Sequence, residues 1–91
     1  MRTTNKKCHT YIARLVDFTA SNLEGVTTSD RYVVYSYGWY PLFIYVKSEC
    51  QWYATNNTYS SSTARQFSQA QQGVTNAKEI SPHEMRAKTR A

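Results

Sequence analysis

Ten of the thirteen aromatic residues in this chain lie within twenty-eight consecutive positions, from residue 32 to residue 59. Side chains in this stretch alternate with a period of two, which is typical of a β-strand and not of a helix. Aromatic and β-branched residues are favoured on a pleated surface, and Gly38 and Pro41 divide the stretch into runs of strand length. The middle of the chain is therefore predicted to form a small antiparallel sheet.

Three strands of this sheet are predicted in meander order, over residues 31–37, 42–48 and 51–55. Gly38 provides the positive φ that a tight reversal needs between the first two. In the second of these strands, alternation places Leu42, Ile44 and Val46 toward the core and the intervening side chains on the opposite face.

The flanking segments give weaker signals. Residues 9–16 alternate and predict a further strand, with a short helix as the competing interpretation, whereas residues 17–30 have the composition of a loop or an irregular strand around Gly25. Residues 62–72 are rich in helix formers and predict one short helix, in which Thr63 and Gln66 have the spacing of a capping box.

These segments predict a single α+β domain: a small antiparallel sheet of three to four strands with one short helix packed on it and flexible basic termini. The expected division is a basic N-terminal arm over residues 1–8, the domain over residues 9–73, and a flexible basic tail over residues 74–91, in which Pro82 interrupts and apolar residues are sparse. A chain of 91 residues buries a thin core, so a homodimer is also compatible with this prediction.

The net charge of +5 is concentrated at the two ends of the chain. Residues 1–14 carry +4 and residues 78–91 carry +2, whereas the residues between them carry −1. A basic surface favours an anionic partner. The residues predicted to contact the phosphates of a nucleic acid are Arg2, Lys6, Lys7, Arg14, Arg65, Arg86, Lys88 and Arg90.

The sequence contains no motif for catalysis, so we expect neither an enzyme, nor a cofactor, nor a small-molecule substrate. Cys8, His9, Cys50 and His83 lack the spacing of a zinc site. The N-terminal residues contain no apolar run typical of a signal peptide, and the longest apolar run is far too short for a membrane span. A soluble protein in the cytoplasm of a host cell, with free thiols and no membrane partner, is expected.

The aromatic hairpin is a candidate for contact with a protein partner. Tyr and Trp are enriched at interface hot spots, and the residues predicted to form such a contact are Tyr37, Trp39, Tyr40 and Tyr45. An alternative is that about half of the aromatic residues form the core and the others are scattered over the surface without a partner.

The runs YVVYSYG, PLFIYV, QWY and YSSSTARQFSQ together resemble a family of small uncharacterised proteins of bacteriophages and mobile elements. Its members are similar in having an aromatic hairpin and a Y-S-x-T-T-S-R-H-x-S-Q-like segment. The chain departs from that segment at Ala64, where a hydroxyl is common, and at Gln66, where a His is common. The resemblance implies a phage-type origin and no catalytic residue.

Two functions are predicted. The first is a non-enzymatic phage-type accessory protein that binds nucleic acid through its basic ends and exposed aromatic residues, with Trp39 and Tyr40 as the candidates for stacking on bases. The second is an anti-defence protein, for example an inhibitor of a CRISPR complex, that binds a host protein complex through its aromatic hairpin.

Overall fold

A computed structural model describes residues 2–58 and 61–89, which form a six-stranded mixed sheet with three helices. In chain order the elements are α1 (Cys8–Ala13), β1 (Phe18–Thr19), β2 (Leu23–Thr27), β3 (Arg31–Ser36), β4 (Tyr40–Val46), β5 (Gln51–Thr55), α2 (Ser61–Gln71), β6 (Lys78–Ile80) and α3 (Pro82–Thr89). Neighbouring strands pair antiparallel from β1 to β5, and β6 joins the edge of the sheet parallel to β5. Helices α1 and α2 lie on one face of the sheet and α3 lies on the other.

The α+β class is as predicted, but the predicted sheet of three to four antiparallel strands with one helix and flexible termini was wrong. Two of the additional strands, β1 and β2, form in residues 17–30, where a loop or irregular strand was expected. Strand β2 pairs along its whole length with β3, from Leu23 opposite Ser36 to Thr27 opposite Tyr32. Because β3 supplies the hydrogen-bonding partner, β2 forms despite its weak local pattern.

Gly25 lies within β2 and allows a close approach of aromatic rings. A Cβ at this position would lie 2.3 Å from the Tyr32 hydroxyl and 2.6 Å from the Phe18 ring. Gly25 is therefore required by tight packing inside a strand. The composition of residues 17–30 had instead been interpreted as a loop or irregular strand around this glycine.

The predicted strand over residues 9–16 was also wrong, and the competing helix is correct. In α1, Cys8 and Ile12 lie four residues apart and are both fully buried, so they form one face of a helix. That face packs beside the end of α2, where a Cβ on Gly73 would lie 2.4 Å from the His9 carbonyl oxygen. A contact of this closeness admits only glycine.

The C-terminal segment is packed against the sheet, contrary to the flexible tail that was predicted. Strand β6 extends the sheet, and Met85 of α3 is fully buried with Val33, Ile44 and Val46. The start of α3 is capped by Ser81, whose hydroxyl accepts the amide hydrogen of Glu84 at 3.2 Å. The cap at Ser81 and Pro82 at the first helical position are two standard signals of a helix start. The prediction of a flexible tail gave more weight to the small number of apolar residues in the segment.

Both faces of the central strand β4 are buried. The prediction that Leu42, Ile44 and Val46 form one core-facing set was therefore wrong. Ile44 and Val46 face α3 as one set, whereas Leu42 packs with Phe43 on the opposite face. The cause is a bulge in the β3 and β4 pairing, after which Pro41 pairs with Tyr35. A bulge shifts the alternation by one residue and accommodates a proline inside a central strand.

Helix α2 matches the helix predicted over residues 62–72 to within one residue at each end. The predicted capping box is wrong, because the helix already begins at Ser61 and Thr63 is buried within its first turn. The Gln66 side chain instead accepts a hydrogen bond from the hydroxyl of Ser36, at the end of β3. None of the helices in the two described ranges is long and apolar enough to cross a bilayer.

Candidate nucleic-acid interface

The hairpin tip, which is the turn of residues 37–39 between β3 and β4, presents two aromatic rings to solvent. Tyr37 is 49% exposed and Trp39 is 55% exposed. Tyr37 and Gly38 both have left-handed backbone, with φ of 55° and 76°, which closes the turn tightly. These rings are therefore displayed at one end of the sheet by a short and well-defined turn.

Tyr40 supports the hairpin tip from below. It is only 5% exposed, and its hydroxyl donates to the carbonyl oxygen of Asn57 at 2.5 Å. The rings of Trp39 and Tyr40 meet edge to face with centroids 5.4 Å apart, which orients the exposed indole. Of the four predicted partner-binding residues, Tyr37 and Trp39 are thus the ones that the fold presents at the tip.

The side chain and backbone of Asn22 connect the basic N-terminal segment to the hairpin tip. The Asn5 side-chain amide donates to the Asn22 side-chain oxygen at 2.6 Å, and the Tyr37 amide donates to the Asn22 carbonyl at 2.9 Å. Lys6 and Lys7 follow Asn5 directly, and both are exposed at the start of α1. The exposed segment that carries these two cations is therefore joined through Asn22 to the hairpin tip.

Arg65 lies on α2, the helix that is joined to the end of β3 just before the hairpin tip. The hydrogen bond between Ser36 and Gln66 joins the first half of α2 to the last residue before the tip. Arg65 is adjacent to Gln66 and is exposed. The buried Gln66, at the position where the resembling family commonly has His, thus acts as a structural tie.

The other predicted cations lie on other parts of the fold. Arg2 is exposed beside the edge strand β1, Arg14 ends α1 at its opposite end, and Arg86 is exposed on α3 across the sheet. Lys88, also on α3, places its Nζ atom 4.1 Å from the centroid of the Tyr53 ring. Arg90 lies outside the described residues.

The nearest carboxylate restricts the direction from which an anion can approach the tip. A Glu24 carboxylate oxygen lies 3.5 Å from the place that a Cβ on Gly38 would occupy. Glu24 pairs with Tyr35, which packs on the α3 side of the sheet. An anionic partner is therefore favoured on the α1 and α2 side, where Lys6, Lys7 and Arg65 lie.

Sequence reasoning named these three cations and two rings but could not place them together. The residues that do so, Asn22 and Ser36, belong to no recognisable motif, and their contacts join positions far apart in the chain. No three His, Cys, Asp or Glu side chains within residues 2–58 and 61–89 come together as a metal-binding group.

Comparison with known proteins gives no further information about this surface. Neither a protein-family model, nor a curated protein, nor a solved structure matches the chain. The resemblance to phage proteins therefore stays a prediction. The functional assignment depends on the rings and cations around the hairpin tip.

Proposed function

We propose that this protein binds nucleic acid at the hairpin tip, without catalysing a reaction. Trp39 and Tyr37 stack on bases, and Lys6, Lys7 and Arg65 contact phosphates. The observation that supports this proposal is that hydrogen bonds join the hairpin tip, with its two exposed rings, to the segment that carries Lys6 and Lys7 and to the helix that carries Arg65. Stacking and phosphate contacts are the two components of sequence-tolerant nucleic-acid binding.

The exposed rings favour unpaired bases over a duplex. A base can stack on a protein ring only when one of its own faces is free, as in a single strand, a loop or an end. Each such stack contributes about 1–3 kcal/mol. Three phosphate contacts at the tip would add a salt-dependent component to the affinity.

The charge at the tip is tested by a double substitution, Lys6→Gln with Lys7→Gln. We expect the slope of log affinity against log salt concentration for a single-stranded oligonucleotide to become shallower by about 1.4, because each phosphate contact with a single strand contributes about 0.7. Fluorescence anisotropy titrations over a range of salt concentrations measure this slope.

The matched control is Lys78→Gln with Arg86→Gln, which removes the same charge from exposed positions away from the tip. The control pair should change the slope by much less than the tip pair. Equal slopes for the two double variants would show that only net charge matters, and the proposed site would then be wrong.

A protein target is a second candidate, favoured by the same exposed rings. A Trp and a Tyr held on a rigid turn have the character of an interface hot spot. In the phage context that the resemblance implies, the target would be a defence complex in the host cytoplasm. Neutralising charges at the tip would then change mainly the association rate and not the equilibrium affinity.

Affinity purification from a host lysate, with and without nuclease treatment, separates the two candidates. A nucleic-acid-binding protein loses its captured material on nuclease treatment, whereas an inhibitor of a protein complex retains it.

The homodimer that a thin core would permit is tested separately. Light scattering on the purified protein measures its mass and so shows whether it is a monomer or a dimer.

A further inference from the structure

A cavity with two aromatic residues in its lining lies at the opposite end of α1 from the hairpin tip. It has a volume of about 370 Å³, and Tyr45 and Trp52 line it together with Leu15, Cys50 and Asn76. The cavity is formed where the end of α1 meets β4, β5 and the segment before β6. It has the size of a small-molecule site and exceeds the volume that one planar base needs.

The aromatic wall of this cavity is held in place from behind. The Tyr45 and Trp52 rings lie 5.2 Å apart at an angle of 56°, and the buried Tyr32 ring meets Trp52 edge to face at 6.2 Å. Tyr45 is only half-buried, so part of its ring remains accessible. A ring with a fixed orientation and an open surface is suited to stacking on a planar partner.

The rim of the cavity is also fixed. The Gln51 side-chain amide donates to the carbonyl oxygens of Trp52 at 2.8 Å and of Asn76 at 2.7 Å. Leu15, Cys50 and Asn76 all have left-handed backbone, with φ of 57°, 51° and 52°. The shape of the cavity is therefore present before a ligand binds.

The lining of this cavity carries no charged side chain, so it does not repel an anionic ligand. No carboxylate lines it, whereas three other concavities of the surface are each lined by Glu24 or Glu79. The pKa of Tyr45 is raised, first by burial and also by its hydrogen bond with the Cys50 side chain.

Helix α1 connects this cavity to the hairpin tip by an exposed basic stripe. Lys7, Thr10 and Arg14 are exposed at positions i, i+3 and i+7, which lie on one face of a helix. Lys7 caps the start of α1, in the segment that Asn5 and Asn22 join to the tip, whereas Ala13 at the other end of α1 lines the cavity. Six helical residues extend about 9 Å, a distance that a short strand of nucleic acid spans.

We infer that a single strand of nucleic acid runs from the hairpin tip along α1 and inserts one base into the cavity beside Tyr45 and Trp52. This inference depends on the proposed function. It gives Arg14 a phosphate contact and Tyr45 a base contact, which the hairpin tip alone does not. It also sets a minimum length, because a dinucleotide at the tip cannot reach the cavity.

The native thiols report directly on whether the cavity is occupied. Cys50 is exposed and lines the cavity, whereas Cys8 is fully buried and burial raises its pKa to about 11. A neutral maleimide therefore reacts selectively with Cys50, and mass spectrometry measures the rate.

The experiment compares this rate for the free protein, for the protein with a dinucleotide, and for the protein saturated with a single strand of about ten nucleotides. We expect the longer strand to slow modification of Cys50 by about fivefold or more, because few cavities are free at saturation. The dinucleotide should leave the rate within about twofold of that of the free protein, since it occupies only the tip.

Each outcome separates this inference from the proposed function. An unchanged Cys50 rate with a longer strand that binds would overturn the path along α1 and leave the tip site intact. Equal protection by a duplex of the same length would overturn the single-strand assignment. Absence of binding by every strand at low salt would instead remove the proposed function.

A substitution at Arg14 provides an independent readout. Arg14→Gln should weaken binding of the longer strand several-fold and leave dinucleotide binding unchanged, because Arg14 lies on the stripe and not at the tip. Arg86→Gln, with the same loss of charge on α3, is the matched control. Equal weakening of both oligonucleotide lengths by Arg14→Gln would contradict the path.

Discussion

Replacing Trp39 and Tyr37 together with alanine should lower the affinity for a single-stranded oligonucleotide by about 2–6 kcal/mol, or roughly 30-fold or more. Each ring contributes one stacking platform, and both platforms are lost. Because the two side chains are about half exposed, the protein should retain its fold. Anisotropy titrations at one fixed salt concentration measure the loss.

The matched control for this pair is Trp39→Phe with Tyr37→Phe, which retains an aromatic ring at each position. It should keep most of the affinity, because every aromatic ring provides a face for stacking. The alanine pair should also leave the salt slope unchanged, since no phosphate contact is removed. An alanine pair with native affinity would exclude the tip rings from binding.

Replacing Met85 with alanine should lower the free energy of unfolding by about 2–5 kcal/mol. Met85 is fully buried between α3 and the sheet, where it packs with Val33, Ile44 and Val46. A loss of this size is a large part of the stability of a small domain. Urea denaturation followed by tryptophan fluorescence measures it.

His83→Ala is the control for Met85→Ala, because His83 is exposed on the same helix. This control should change the stability by less than about 0.5 kcal/mol. If Met85→Ala had an equally small effect, α3 would not be packed in solution. The C-terminal segment would then be the flexible tail that its composition suggested.

The central strands were predictable because their pattern is local. Aromatic and β-branched residues over β3, β4 and β5 favour extended backbone without help from other segments. Strands β1, β2 and β6 are short and weakly patterned, and they form because a stronger neighbour supplies their hydrogen bonds. Such non-local pairing has no signal in a local window of sequence.

Helices α1 and α3 illustrate two different limits of local patterns. The buried pair Cys8 and Ile12 of α1 was obscured by an alternation that also fits a strand. For α3, Ser81, Pro82 and Glu84 carried a readable start signal, but the polar composition of the segment outweighed it. This helix docks through the buried Met85 and through the contacts of Lys88 with Arg31 and Tyr53.

The candidate site was predictable in its residue types but not in its assembly. Charge and residue type suggested Lys6, Lys7 and Arg65 for phosphates, and they suggested Trp39 and Tyr40 for stacking, of which Tyr40 is buried. Their proximity results from the contacts of Asn5 with Asn22 and of Ser36 with Gln66, which are separated by 17 and 30 residues in sequence. Only the tertiary fold reveals such contacts.

A titration of ¹⁵N-labelled protein with a single-stranded oligonucleotide, followed by two-dimensional NMR, tests the hairpin tip most directly. The two indole N–H signals, of Trp39 and Trp52, distinguish the tip from the cavity. We predict that a dinucleotide shifts the Trp39 indole and the amides of residues 37–39, Lys6, Lys7 and Arg65. Saturating oligonucleotide that leaves the Trp39 signal unmoved, or that shifts only residues of α3, would contradict the account.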